Sequence, residues 1–198
     1  GKVLSSLYSV FNEMMVRGII NQNPATGIGV RQESRYKEPV VIPSKTDVVG
    51  LLRAADALAN SKNRLIARTW QRYRPMLYLA ADSGMRPQEY LALSNSSLRA
   101  NGVFVDRALS GCGTEISVTK TPAGRRFIGL SAETLEMVRH YAEHHAERNE
   151  FDLVFPARGG RWQSRRNWQR RGFNVACEKA GLMLTSVEKG KEVVRPKY

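Results

Sequence analysis

Gly84 and Pro87 interrupt two apolar helical stretches in Asp82-Ser83-Gly84-Met85-Arg86-Pro87-Gln88-Glu89. Glycine ends a helix because it enters the left-handed region without a Cβ penalty, and proline suits the first turn of the helix that follows. The pair fixes a helix–turn–helix break and leaves Arg86 on the turn. Glu89 then falls near the positive end of the second helix. An arginine so placed can offer its planar fork to two phosphate oxygens, with Glu89 fixing the fork. The same two residues also suit an ordinary surface arginine beside a dipole-stabilising glutamate.

The rest of the chain builds outward from that break. Leu65, Trp70, Tyr73, Met76, Leu77 and Ala80 form the apolar stripe of a helix over 63–81, and Arg64, Arg68 and Arg72 recur on another face. Ser44 and Asp47 form an approximate capping box ahead of Val48, Val49, Leu51 and Leu52, so a helix opens there. Upstream, Leu4, Leu7, Tyr8, Phe11, Met14 and Met15 predict a helix over 3–20, terminated by Gly18 and Asn23-Pro24. Residues 24–43 lack periodicity and carry Gly27, Gly29, Pro39 and Pro43, which reads as an inter-domain linker. Downstream, alternating segments at 102–106, 114–119 and 125–130 predict a small three-stranded antiparallel sheet. Helices are expected again over 132–148 and 164–180, with Leu153-Val154-Phe155-Pro156 as a short buried segment between them. The expected class is α+β, mainly α.

Charge narrows the partner. Lys and Arg number 31 against 18 Asp and Glu, a net charge of +13, which favours a polyanion such as nucleic acid. The basic residues do not stack on one amphipathic helix, no apolar run approaches eighteen residues, and the first residues show no signal-peptide pattern, so no membrane partner is expected. Between Arg158 and Arg171 the chain has Arg158, Arg161, Arg165, Arg166, Arg170 and Arg171 with two tryptophans and no carboxylate. Unmixed arginine points to phosphate contacts, whereas the tryptophans suit core anchors of the helix over 164–180. Lys120 precedes the turn Pro122-Ala123-Gly124, and Arg125 and Arg126 follow it, giving a cationic hairpin tip suited to a DNA groove. Cys112 and Cys177 are far apart, match no metal spacing, and read as free thiols. His140 and His144 match an H-x-x-E-H zinc pattern, but both lie on a solvated helix face with no third ligand specified. A zinc hydrolase is the remote alternative.

Three motifs in order then resemble the tyrosine recombinases, the phage-integrase family. Leu77 to Leu93, containing Asp82-Ser-Gly-Met-Arg86-Pro-Gln-Glu89, is similar to that family's first arginine box. Thr119-Lys120-Thr121 with Gly124-Arg-Arg-Phe-Ile-Gly-Leu130 resembles its catalytic-lysine hairpin, and Leu153-Val-Phe-Pro156 the segment before its second box. Gly18 to Pro24 resembles the end of the last helix of its core-binding domain. The resemblance implies a helical remnant of that domain at 1–23, a linker at 24–43, and a catalytic domain at 44–198 that stops before the second box. It implies DNA cleavage and rejoining through a 3′-phosphotyrosine, with Arg86 gripping the phosphate, Lys120 as general acid and Glu89 in support. Arg125, Arg126, Arg158, Arg161, Arg165, Arg166 and Arg170 are the expected DNA contacts. The family needs no cofactor, metal or small-molecule substrate, acts as a tetramer on double-stranded DNA, and works in the bacterial cytoplasm with the nucleoid. The second-box histidine and arginine and the nucleophilic tyrosine are expected beyond Tyr198, so these residues alone should bind DNA without cleaving it. A non-catalytic DNA-binding regulator of recombination is the alternative. Ser94-Asn95-Ser96-Ser97 departs from the tryptophan or aspartate usual there.

Overall fold

The structure, a computed structural model, describes residues 2–28, 41–118, 124–188 and 190–198. It divides into two compact units, Gly1–Val41 and Ile42–Tyr198.

In the first unit, helix α1 (Lys2–Val16) stops short of the expected residue 20 because Gly18 turns into the left-handed region at φ +70°. The Gly18 and Ile19 N–H groups then close the helix end on Met15 O and Met14 O. Asn23 is a buried clip: its Nδ2 donates to Tyr8 O at 3.1 Å and to Asn12 Oδ1 at 2.7 Å. Most of the stretch expected to be a linker, residues 29–40, lies outside the described residues.

The second unit opens with α2 (Lys45–Ala59), on the expected capping box: Ser44 Oγ accepts from Asp47 N at 3.1 Å, and Ser44 N–H donates to Asp47 Oδ2 at 3.3 Å. Helix α3 (Arg64–Ser83) packs against it. Arg74 Nε donates to Asp56 Oδ1 at 2.6 Å and Tyr78 OH to Asp56 Oδ2 at 2.9 Å, so one carboxylate clamps the two helices. Trp70, Tyr73, Met76, Leu77 and Leu79 bury the stripe of α3, and Val138 and Tyr141 of α5 (Ala132–His144) pack into the same core. Helix α5 ends four residues before the expected position 148, where His145 leaves helical geometry.

The sheet differs from expectation in its pairing. Strands β1 (Leu98–Arg99), β2 (Gly102–Val105) and β5 (Arg126–Gly129) make a three-stranded antiparallel sheet. Residues 116–118, expected beside 125–130, instead form β4 (Ile116–Val118) against an additional strand β3 (Arg107–Leu109). Alternation marks a strand but not its partner, and here the long-range pairing Val103↔Ile128 decides. Gly102 is required by it: a Cβ there would sit 2.0 Å from the Ile128 carbonyl oxygen.

The expected 164–180 helix is α6 (Arg165–Trp168) and α7 (Asn174–Lys179), joined by one π turn over Gln169–Phe173. Beyond Gly181, where no element is expected, the chain forms a hairpin, β6 (Met183–Glu188) and β7 (Lys191–Pro196). It returns the chain to the start of α2, where Tyr198 OH donates to Asp47 Oδ2 at 2.5 Å and Lys197 Nζ lies 3.4 Å from the same atom. These bonds hold the Asp47 carboxyl well below the usual carboxylate range. Among the described residues no helix is long and apolar enough to cross a membrane.

Candidate nucleic-acid interface

Local chemistry sets Arg86. Helix α3 ends with Gly84 at φ +61°, and Met85 is buried directly after it. Arg86 is then the N-cap of the short helix α4 (Pro87–Tyr90), with Pro87 at its first position. Glu89 reaches back so that its Oε2 accepts from the Arg86 backbone N–H at 2.8 Å. The backbone is thereby pinned while the Arg86 side chain stays 76% exposed.

The Glu89 carboxylate, only 4% exposed, takes its strongest partner from elsewhere. Arg126 forks it, Nη1 to Oε1 at 3.0 Å and Nη2 to Oε2 at 2.9 Å, while Arg86 Nη1 stands 3.4 Å away. Burial alone would raise the Glu89 pKa, but the Arg126 bonds and the Arg86 N–H outweigh it and the net shift is downward. Arg126, expected at DNA, is thus committed to Glu89 through a bidentate contact that spans 37 positions. Arg126 opens β5, so the contact ties the start of that strand to α4. Lys120 lies outside the described residues, and Arg125 is exposed next to Arg126.

Just before the turn, Asp82 accepts from Ser131 N and Oγ, both at 2.8 Å, tying the end of α3 to the start of α5. On the other side, Arg107 was not singled out by the sequence. It donates to Ala92 O at 2.6 Å and Phe151 O at 3.0 Å, and so fixes the chain leaving α4. The departing Ser94–Ser97 stretch is stapled to Asp152, whose carboxylate accepts from Ser96 N at 3.0 Å and Asn95 Nδ2 at 3.1 Å.

The arginine run does not act as one surface. Arg165 and Arg166, at the start of α6, border a groove with Gln88 of α4 and the loop 110–113. In that loop, hydrogen bonds from Ser110 and Thr114 bring the Cys112 thiol down to about 7. Arg161 lies over the Trp162 ring at 5.8 Å, and Arg170 is exposed on the π turn. Arg158 faces a different cavity, with Arg68 and Arg72. Trp168 is a core anchor as expected, 3% exposed, and its Nε1 donates to Tyr90 OH at 2.7 Å. His140 and His144 stack ring on ring at 4.4 Å, and His144 Nδ1 contacts its own helix at His140 O. Among the described residues no group of three metal-ligating side chains accompanies them.

No family model matches the sequence, and no curated protein matches it. Solved structures do. The Tn1549 transposon integrase in complex with transposon right end DNA aligns with a TM-score of 0.63 at 18% identity, over 98% of this chain and 60% of that one. A lambda integrase tetramer bound to a Holliday junction gives 0.55 at 16%, over 92% and 47%. XerA recombinase gives 0.53 at 16%, over 73% and 45%. The fold is that of the tyrosine recombinases. This chain spans between 45% and 60% of the length of those three proteins. Within the tyrosine-recombinase fold, the role of Arg107 and the partner of Arg126 were not legible in the sequence. Arg107 carried no local signal, since its acceptors are backbone carbonyls distant in sequence. Arg126 is expected at DNA from the basic hairpin, and its bidentate partner Glu89 lies 37 positions away in the sequence.

Proposed function

We propose that this chain is the phosphate-gripping part of a site-specific DNA recombinase or integrase. The observation that carries the reading is Arg86, an exposed guanidinium whose backbone is locked by buried Glu89 at a helix break, in a fold shared with integrases bound to DNA. Arg86 takes two non-bridging phosphate oxygens and stabilises the charge that develops on them. Glu89 supports it through the backbone and through Arg126. Lys120 protonates the departing 5′-oxygen as a tyrosine oxygen bonds to phosphorus, leaving a 3′-phosphotyrosyl link that the 5′-hydroxyl later reverses. The phosphodiester is conserved in that link, so the reaction calls for no cofactor. The full protein works as a tetramer on duplex DNA, in the bacterial cytoplasm with the nucleoid.

The 198 residues contain no second-box histidine and arginine after Pro156, and Tyr198 is hydrogen-bonded to Asp47. We infer that these 198 residues bind duplex DNA without cleaving it. On a suicide substrate nicked beside the cleavage site, no covalent protein–DNA adduct is expected; an adduct formed by this chain would refute that assignment. In the full-length protein, Arg86→Ala should cut adduct formation by about 10²-fold or more, and intact cleavage would remove Arg86 from the site.

Binding should weaken steeply with salt, as guanidinium groups displace counterions from the duplex. Arg165→Ala with Arg166→Ala should flatten the slope of log K against log salt by about 0.9 for each phosphate no longer neutralised. An unchanged slope would take the α6 groove out of the DNA interface.

A further inference from the structure

The three histidines of the chain gather at the last turn of α5. The His140 ring stacks on His144 and meets His145 edge-on at 5.5 Å. His144 and His145 face a cavity of about 630 Å³. Its other walls carry Arg68 and Arg72 from the first half of α3, Arg158 from the turn after Pro156, and Glu147. The one carboxylate is engaged, since Glu147 Oε2 accepts the Gly159 N–H at 3.0 Å. Arg72 is held by its Nη1, which donates to Pro156 O at 3.2 Å, and the face of Tyr73 lies 5.1 Å beneath it. Among the described residues its buried Nε–H has no hydrogen-bond partner.

Among the described residues the recess thus presents three guanidiniums, an unpartnered buried donor and two imidazoles, against a single carboxylate already in use. An unsatisfied buried donor is costly, and a recess of unbalanced cations is relieved by an anion that accepts several hydrogen bonds. Planar guanidiniums arriving from two separate elements match a phosphate better than a single carboxylate. The volume lies within the usual range of small-molecule sites, and the buried Tyr141 ring adds an apolar wall. The site is not an extension of the grip at Arg86. Arg72 and Ser83 are separated by about 16 Å along the α3 axis, taking 1.5 Å per residue, and Arg86 lies beyond Ser83.

We propose that this cavity binds a small phosphate-bearing molecule, with Arg68, Arg72 and Arg158 on the phosphate oxygens. The inference is independent of the recombinase reading and would stand if cleavage by the full protein were disproved. It is tested by calorimetric titration of the 198-residue chain with adenosine 5′-monophosphate, inorganic phosphate and adenosine at constant ionic strength. Saturable one-to-one binding of the monophosphate, weaker binding of phosphate and none of adenosine are expected. Arg68→Ala with Arg158→Ala, both exposed and so compatible with folding, should weaken the monophosphate by about tenfold or more, the scale of charged hydrogen bonds. Arg165→Ala with Arg166→Ala should leave it unchanged. The proposal is overturned if neither phosphate probe saturates, or if the Arg68 and Arg158 changes have no effect. It is also overturned if a short DNA duplex displaces the monophosphate and those changes weaken duplex binding equally, which would assign the cavity to the DNA backbone.

Discussion

Glu89→Gln is expected to lower the stability of the chain by about 2–3 kcal/mol, below the cost of breaking a fully buried pair because Arg126 is partly solvated. Glu89 is 4% exposed and Arg126 34%, so the carboxylate depends on the fork and water reaches only the guanidinium. An amide in its place offers one oxygen and turns an NH₂ toward the remaining Arg126 donors. In urea, the midpoint should fall with the slope unchanged. The pH dependence carries its own signature. The folded-state pKa of Glu89 is depressed, so its contribution is complete above the unfolded carboxylate value and is lost as pH falls through the lower, folded one. The variant should therefore show a shallower loss of stability on acidification than the wild type. Equal acid-side slopes would mean that the Arg126 pair contributes nothing to folding.

Gly172→Ala is expected to cost about 3 kcal/mol, at the upper end for overpacking a core, and to lower Tm by roughly 6–12 °C for a chain of this size. A Cβ at this position would lie 2.2 Å from Cζ3 and 2.3 Å from Cε3 of Trp168. The indole cannot retreat. Its Nε1 is bonded to Tyr90 OH, and the Tyr73 and Tyr90 rings stand 5.3 Å and 6.2 Å from it. Burial also pushes the Tyr90 phenol up to about 12, so that anchor remains neutral at any working pH. Trp168→Phe removes the atoms in conflict, so the double variant should lose less than the sum of the two single changes. Strict additivity would show that the clash does not set the cost.

The local stops and starts were legible in the sequence. Gly84 takes the left-handed conformation that its position before Arg86-Pro87 demanded, and Ser44 and Asp47 cap α2 as their spacing implied. These depend on residues within a few positions of each other. Pairing across the sheet was not legible, because Ile116–Val118 and Arg126–Gly129 alternate alike and only the fold selects β3 for one and β2 for the other. The partner of Glu89 was hidden for the same reason: spacing on one helix suggests Arg86, whereas the bidentate contact comes from Arg126 across the sheet. The 183–196 hairpin did leave a trace, in Val187, Val193 and Val194 around Gly190, but so short an alternation at the end of the chain is weak by itself.

The wide turn at 169–173, closed by the Asn174 N–H on Gln169 O, sets the rotational phase of everything after it. Trp168, Gly172 and Ala176 are all buried, at intervals of four. In an unbroken α-helix each such step would drift by about 40°, and the third residue would begin to leave the core. The wide turn absorbs that drift and keeps all three in line. Deleting Arg170 or Arg171, both exposed, would close the turn into regular geometry, and the seven remaining steps from Trp168 to Ala176 would total about 700°, within about 20° of two full turns, so Ala176 and Cys177 would still face the interior. The wide turn thus houses one residue more than a regular helix would need, and the interior should tolerate its removal.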